Sequence, residues 1–234
     1  MNDLINLFRQ ETQRPILFYR IPKNASTSIY NHIGHFNIVK QYYKKVFDNA
    51  DQEVYYNWFC PSHSTPEELC ETIEEKMGNC IRFCVIRNPW DRMVSSFNQN
   101  RKIQSWKLTG HKPNMSFKEF CSLIHENKNN KKFLGSRPQI EWACGKYPPH
   151  EILRFENLKS DFAAMVEKYK LKGFSKELPH QNKTDHPHFS ECYDSESKEM
   201  IEDVFLQDIK KFNYSFPEDS DFSNPKGSEG FLRI

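Results

Sequence analysis

Three times in this chain an apolar run breaks at or near a Pro or Asn and gives way to a helix-like stretch. That grammar limits the fold more than any other feature. Residues 15–21 (PILFYRI) are short, apolar and stopped by Pro22, which reads as a buried strand. After the small polar residues 24–28, Ile29, Tyr30 and Ile33 lie at helical spacing and Gly34 offers a stop. Residues 80–87 (CIRFCVIR) repeat the pattern, with Asn88-Pro89 as the break and Trp90, Met93, Val94 and Phe97 as one helical face. The third unit starts at residues 151–155, with Asn157 expected to cap a helix reaching about Tyr169. Strands alternating with helices imply an α/β fold with a mainly parallel sheet, whose ligands gather at the carboxyl ends of the strands. Further helices are expected from Thr65 to about Met77, from Ser116 with Glu119 closing a capping box, and as one long element over residues 195–212. The chain of 234 residues suits one domain, expected over 1–216, followed by a polar, turn-rich tail over 217–234.

Composition closes several routes. A formal charge of +2 is too mild to argue for nucleic acid, and the basic runs at Lys40–Lys45 and Lys128–Lys132 read as solvated surface. Seven Cys without a C-x-x-C pair fit reduced thiols in the cytoplasm. The first fifteen residues hold no long apolar core, and no window approaches the roughly 18 apolar residues of a membrane span. A soluble, cytoplasmic protein without membrane partners is therefore expected. His180, His186 and His188 follow no trusted ligand spacing, and Cys60 with His63 makes a weak half-site, so no metal is expected.

Two segments carry chemistry. In Arg20-Ile-Pro-Lys-Asn-Ala-Ser-Thr-Ser28 a strand gives way to a helix N-terminus. Exposed amides and the helix dipole favour an anion there, Ala25 and Ser26 are small enough for close approach, Ser26, Thr27 and Ser28 supply hydroxyls, and Lys23 supplies charge. The glycines of a Walker A loop are missing. The plain alternative is that Ser26 or Thr27 only caps a helix. In Arg87-Asn-Pro-Trp-Asp-Arg-Met-Val-Ser95, an Arg ends an apolar strand and a Ser lies on the second turn of the next helix, so both can converge on one phosphate. Its plain alternative is a structural pair between Arg87 and Asp91.

Together these segments resemble the sulfotransferase family. Residues 22–28 match P-K-x-A-S-T-S, the family's 5′-phosphosulfate loop, and residues 87–95 match R-[ND]-P-x-x-R-x-x-S, its 3′-phosphate motif. Arg20 and a His ahead of the second motif, His63, are similar to the carbohydrate branch that includes heparan sulfate 2-O-sulfotransferase. The resemblance implies a P-loop-like three-layer sandwich, its central parallel sheet flanked by helices. It implies transfer of a sulfuryl group from 3′-phosphoadenosine-5′-phosphosulfate (PAPS) to a small-molecule or saccharide acceptor, releasing 3′,5′-ADP. Arg20, Lys23, Asn24, Ala25, Ser26, Thr27, Ser28, Arg87 and Ser95 would bind the donor, with Asn182 and Lys183 in a late closing loop. Lys23 would stabilise the leaving group and His63 would serve as base. Arg137-Pro138-Gln139 resembles a substrate-side element. An ATP-dependent kinase and a non-catalytic nucleotide-binding module are the competing readings.

Overall fold

The structure, a computed structural model, describes residues 16–29, 63, 65–68, 80–103, 114–171 and 188–217. Its strands are β1 (Ile16–Tyr19), β2 (Ile81–Ile86) and β3 (Glu151–Arg154). Its helices are α1 (Pro89–Ile103), α2 (Phe117–Glu126), α3 (Ile140–Ala143), α4 (Leu158–Lys168), α5 (Ser195–Val204) and α6 (Leu206–Phe212). The chain divides into two compact units, each assembled from separate stretches of sequence.

The first unit, Met1–Ile21, Ala25–Ile86 and Trp142–Asn182, holds the sheet. Its order is β1-β2-β3, every pairing is parallel, and the register sets Phe18 beside Phe83 and Val85 beside Leu153. The α/β class with a parallel sheet, expected from the strand–helix alternation, is what forms. Side chains alternate across a strand, so Ile16, Phe18, Ile81, Phe83, Val85 and Leu153 share a core with Phe162, Met165 and Val166 of α4. Phe18 and Phe83 stack with ring centroids 4.7 Å apart. Leu17, Tyr19, Cys84 and Ile86, at the alternate positions, are buried as well. A strand buried on both faces reads as a continuous apolar run, which is why these segments lack alternation in sequence.

Two expected details differ. Asn157 precedes α4 but makes no side-chain cap; the strand end is instead tied by Asp161, whose carboxylate accepts the Arg154 amide at 2.8 Å. A carboxylate in the first turn is favoured there by the helix dipole. Thr65 does close its expected box, donating its amide to Glu68 Oε2 at 2.7 Å while its hydroxyl accepts the Glu68 amide. The rest of the helix expected to Met77 lies outside the described residues.

The second unit, Pro22–Asn24, Arg87–Glu141 and Lys183–Ile234, is helical. Pro89 opens α1, as its fixed φ and missing N–H suit the first helical position. Trp90, Met93 and Phe97 of α1 pack with Phe120, Cys121 and Ile124 of α2 and with Ile201 and Phe205. Ser116 and Glu119 form the expected capping box at the start of α2. The single long helix expected over 195–212 is two, because Phe205 leaves helical geometry between α5 and α6. The first of them, α5, starts at Ser195 as expected, with Asp194 as its N-cap. The break lets Phe205 bury completely while Asp208 takes up two backbone amides of residues 139 and 140. The Lys128–Lys132 run is exposed, with Lys128 paired to Asp203.

Replacing Phe83 with Ala removes half of the central stack and leaves a cavity in a sheet core. The expected loss is about 3–5 kcal/mol of unfolding free energy, read from chemical denaturation.

Candidate active site

The chain leaves β1 into the first motif, and the backbone there is unusual. Lys23 and Ala25 both adopt left-handed conformations, with φ of 70° and 56°. Glycine adopts that region freely, whereas a residue with a Cβ sits there at a cost of about 1–2 kcal/mol. A loop that accepts this cost twice without glycine is held by its surroundings, and such strain concentrates at functional sites. Helical backbone begins at residue 26, with the Ile29 amide donating to the Ala25 carbonyl at 3.1 Å. The Ser26 hydroxyl donates back to the Ile21 carbonyl at 3.3 Å, so it braces the loop and does not cap a helix amide. Ser28 is buried and Thr27 is exposed.

Within the second unit, residues 22–24 of the first motif meet the second motif. Arg87 donates through Nη1 to the backbone carbonyl of Lys23 at 3.0 Å, although 64 positions separate them. Its Nε and Nη2 fork onto Asp91 at 2.7 and 2.8 Å. The pair with Asp91 weighed from sequence therefore forms, and it orients the guanidinium alongside Lys23 as well. Lys23 donates its ammonium to Gln99 Oε1. Burial, and then the Arg87 charge, pull the Lys23 pKa down to about 8. Two cations held this close repel each other, and an anion between them would relieve both. Ser95 lies half-buried on the second turn of α1.

A buried scaffold supports this corner. Gln139 is fully buried and accepts at Oε1 from Asn24 Nδ2 at 2.6 Å and from the Arg87 amide at 2.9 Å. Its Nε2 donates to the Arg87 carbonyl at 2.8 Å. Arg92, also buried, donates from Nε to the Pro22 carbonyl at 3.3 Å and from Nη2 to the Arg137 carbonyl at 3.1 Å. Its guanidinium lies over the Phe205 ring, 5.1 Å from the centroid. Burial lowers its pKa to about 10, against the opposing field of Asp208. Asp208 accepts the amides of Gln139 and Ile140 at 2.7 and 2.9 Å; burial raises its pKa even so.

In the first unit, His63 has a left-handed backbone, φ 63°, and its Nδ1 lies 3.0 Å from the Arg20 carbonyl. A carbonyl can only accept, so Nδ1 carries the proton, and in the neutral ring the lone pair sits on Nε2. Asn182 and Lys183 lie outside the described residues. Among the described residues no group of three His, Cys, Asp or Glu side chains could hold a metal, and no helix is long and apolar enough to cross a membrane.

The model of the sulfotransferase family matches residues 6–215. The chain belongs to the sulfotransferase family. No curated protein and no solved structure matches it. In this sulfotransferase, sequence reading assigned no role to Gln99, which holds Lys23, or to Asp208, which holds residues 139 and 140. Gln139, expected to be substrate-side, sits between the two motifs. Gln139 and Asp208 bond mainly to backbone groups, which no residue-type pattern reveals.

Removing Arg92 strips Asp208 of its buried counter-charge and releases two carbonyls. Arg92→Ala should lose about 3–5 kcal/mol of stability by denaturant titration, and Arg92→Lys less, because an ammonium keeps the charge opposite Asp208 although it cannot reach both carbonyls.

Proposed function

We propose that this sulfotransferase takes its sulfuryl group from PAPS, passes it to a hydroxyl or amine of a small-molecule or saccharide acceptor, and releases 3′,5′-ADP. The observation that carries the reading is the bond from the Arg87 guanidinium to the Lys23 carbonyl, which makes neighbours of a cation suited to each end of that donor. Lys23 and residues 24–28, with Arg20, take the 5′-phosphosulfate; Arg87 and Ser95 take the 3′-phosphate. Asn182 and Lys183 are assigned contacts with the nucleotide. Arg20-Ile-Pro-Lys23 and His63 favour the carbohydrate branch near heparan sulfate 2-O-sulfotransferase. Cys84, Cys121 and Cys192 are free thiols, which fits a reducing, cytoplasmic setting.

The step is an in-line displacement at sulfur. The acceptor lone pair forms the new bond to sulfur, and the bond from sulfur to the bridging 5′-phosphate oxygen breaks. That oxygen keeps the electron pair, and the Lys23 ammonium offsets the growing charge. The acceptor proton passes to Nε2 of His63, since the Arg20 carbonyl holds the other ring proton on Nδ1. Fixed cations supply the electrostatic stabilisation, as in phosphoryl transfer.

Calorimetric titration tests the donor: 3′,5′-ADP should bind far more tightly than ADP or ATP, and equal binding would favour a kinase instead. Lys23→Ala should lower kcat/KM for labelled-sulfate transfer by about 10²–10³. The lowered Lys23 pKa also sets a direction with pH. The ammonium is the working form, so kcat/KM should fall as pH rises through about 8. In Lys23→Arg, whose charge persists, that alkaline limb should vanish; its survival would assign it to another group.

A further inference from the structure

The geometry points to Gln139 as a positioning residue that sets the spacing between the two anion-gripping motifs. The assignment rests on the donor reading above. Gln139 touches neither cationic head group. It pairs with both backbone groups of Arg87 as a second peptide would, its amide orientation dictated by the Arg87 N–H on one side and C=O on the other. The same oxygen that takes the Arg87 amide also takes the Asn24 side chain, one residue beyond Lys23. One buried carbonyl oxygen therefore joins the Lys23 loop to the Arg87 strand end. Asp208 holds the Gln139 backbone amide at 2.7 Å, so the joint is itself anchored. Pro138 and Ile140 flank it with groups that cannot substitute for an amide side chain.

The physical consequence concerns a ligand with two charged ends. When two sites are held at the ligand's own span, occupying one presents the other at high effective concentration; when their spacing fluctuates, that advantage is lost while each site still works alone. Gln139 should therefore govern the gain from adding the second phosphate more than the binding of either phosphate. Met has similar length and no amide, so Gln139→Met removes the joint with little change in volume.

The test compares 3′,5′-ADP with 5′-AMP, which lacks the 3′-phosphate, by calorimetry on the full chain. The readout is the ratio of their dissociation constants. A partly unfolded sample weakens both affinities by the same factor and leaves this ratio unchanged. In Gln139→Met the preference for 3′,5′-ADP should fall by about tenfold or more. Asn24→Ala cuts the Asn24 arm and should reduce it by about threefold; any contact Asn24 makes to the 5′-phosphate is common to both nucleotides and cancels in the ratio, so this variant carries the test alone if Gln139→Met does not fold. A wild-type preference that survives intact in the folded variants overturns the assignment of Gln139 and leaves the donor reading standing. A wild-type protein that binds the two nucleotides equally removes the donor reading and this inference with it.

Discussion

A guanidinium withdrawn from water is the constraint around which the second unit is arranged. Arg92 is almost wholly buried, and such a charge persists only where dipoles and an opposite charge replace its hydration. Here the replacements are the carbonyls of Pro22 and Arg137, the face of Phe205 and the field of Asp208. Each comes from a different part of the chain. Holding one side chain therefore brings the Lys23 loop, the segment before α3 and the α5–α6 break together around α1. Replacing Arg92 and Asp208 by a matched apolar pair would satisfy the same volume without imposing those relationships.

The geometry that results is chemically unequal to its surroundings. Lys23 and Arg87 are adjacent and repulsive, and Asp91 balances only the Arg87 side directly. The left-handed turns at Lys23 and Ala25 add backbone strain at the same loop. Strain and repulsion of this kind lower stability locally, and they persist because the buried hydrogen bonds of Gln139 and Arg92 hold the loop from behind. Under the roles proposed for Lys23 and Arg87, the cost of collecting the cations falls on folding and not on the transfer step.

The sheet was legible because β1 and most of β2 are buried on both faces and appear as largely apolar runs that end at Pro and Asn breaks. The capping boxes at Thr65 and Ser116 were legible because they use a fixed three-residue spacing. The break at Phe205 was not, because its cause is tertiary: residues 195–212 keep helical periodicity throughout, and only burial of Phe205 and the amides awaiting Asp208 reveal the interruption. Asn157 misled for the opposite reason, since a good capping residue was present while Asp161 tied the strand end. At the site, motif residues such as Lys23 and Arg87 stood out by charge beside apolar strands. Gln139 did not stand out as a joint, because peptide groups are invisible to residue patterns.

The lowered basicity of Lys23 bears on its own reactivity. An amine that sheds its proton near pH 8 becomes a nucleophile at a pH where an ordinary lysine is still masked by its own charge. Burial and the neighbouring guanidinium thus give this side chain a chemical individuality that acylating reagents would register. Occupancy of the loop by an anion would restore the proton and silence it.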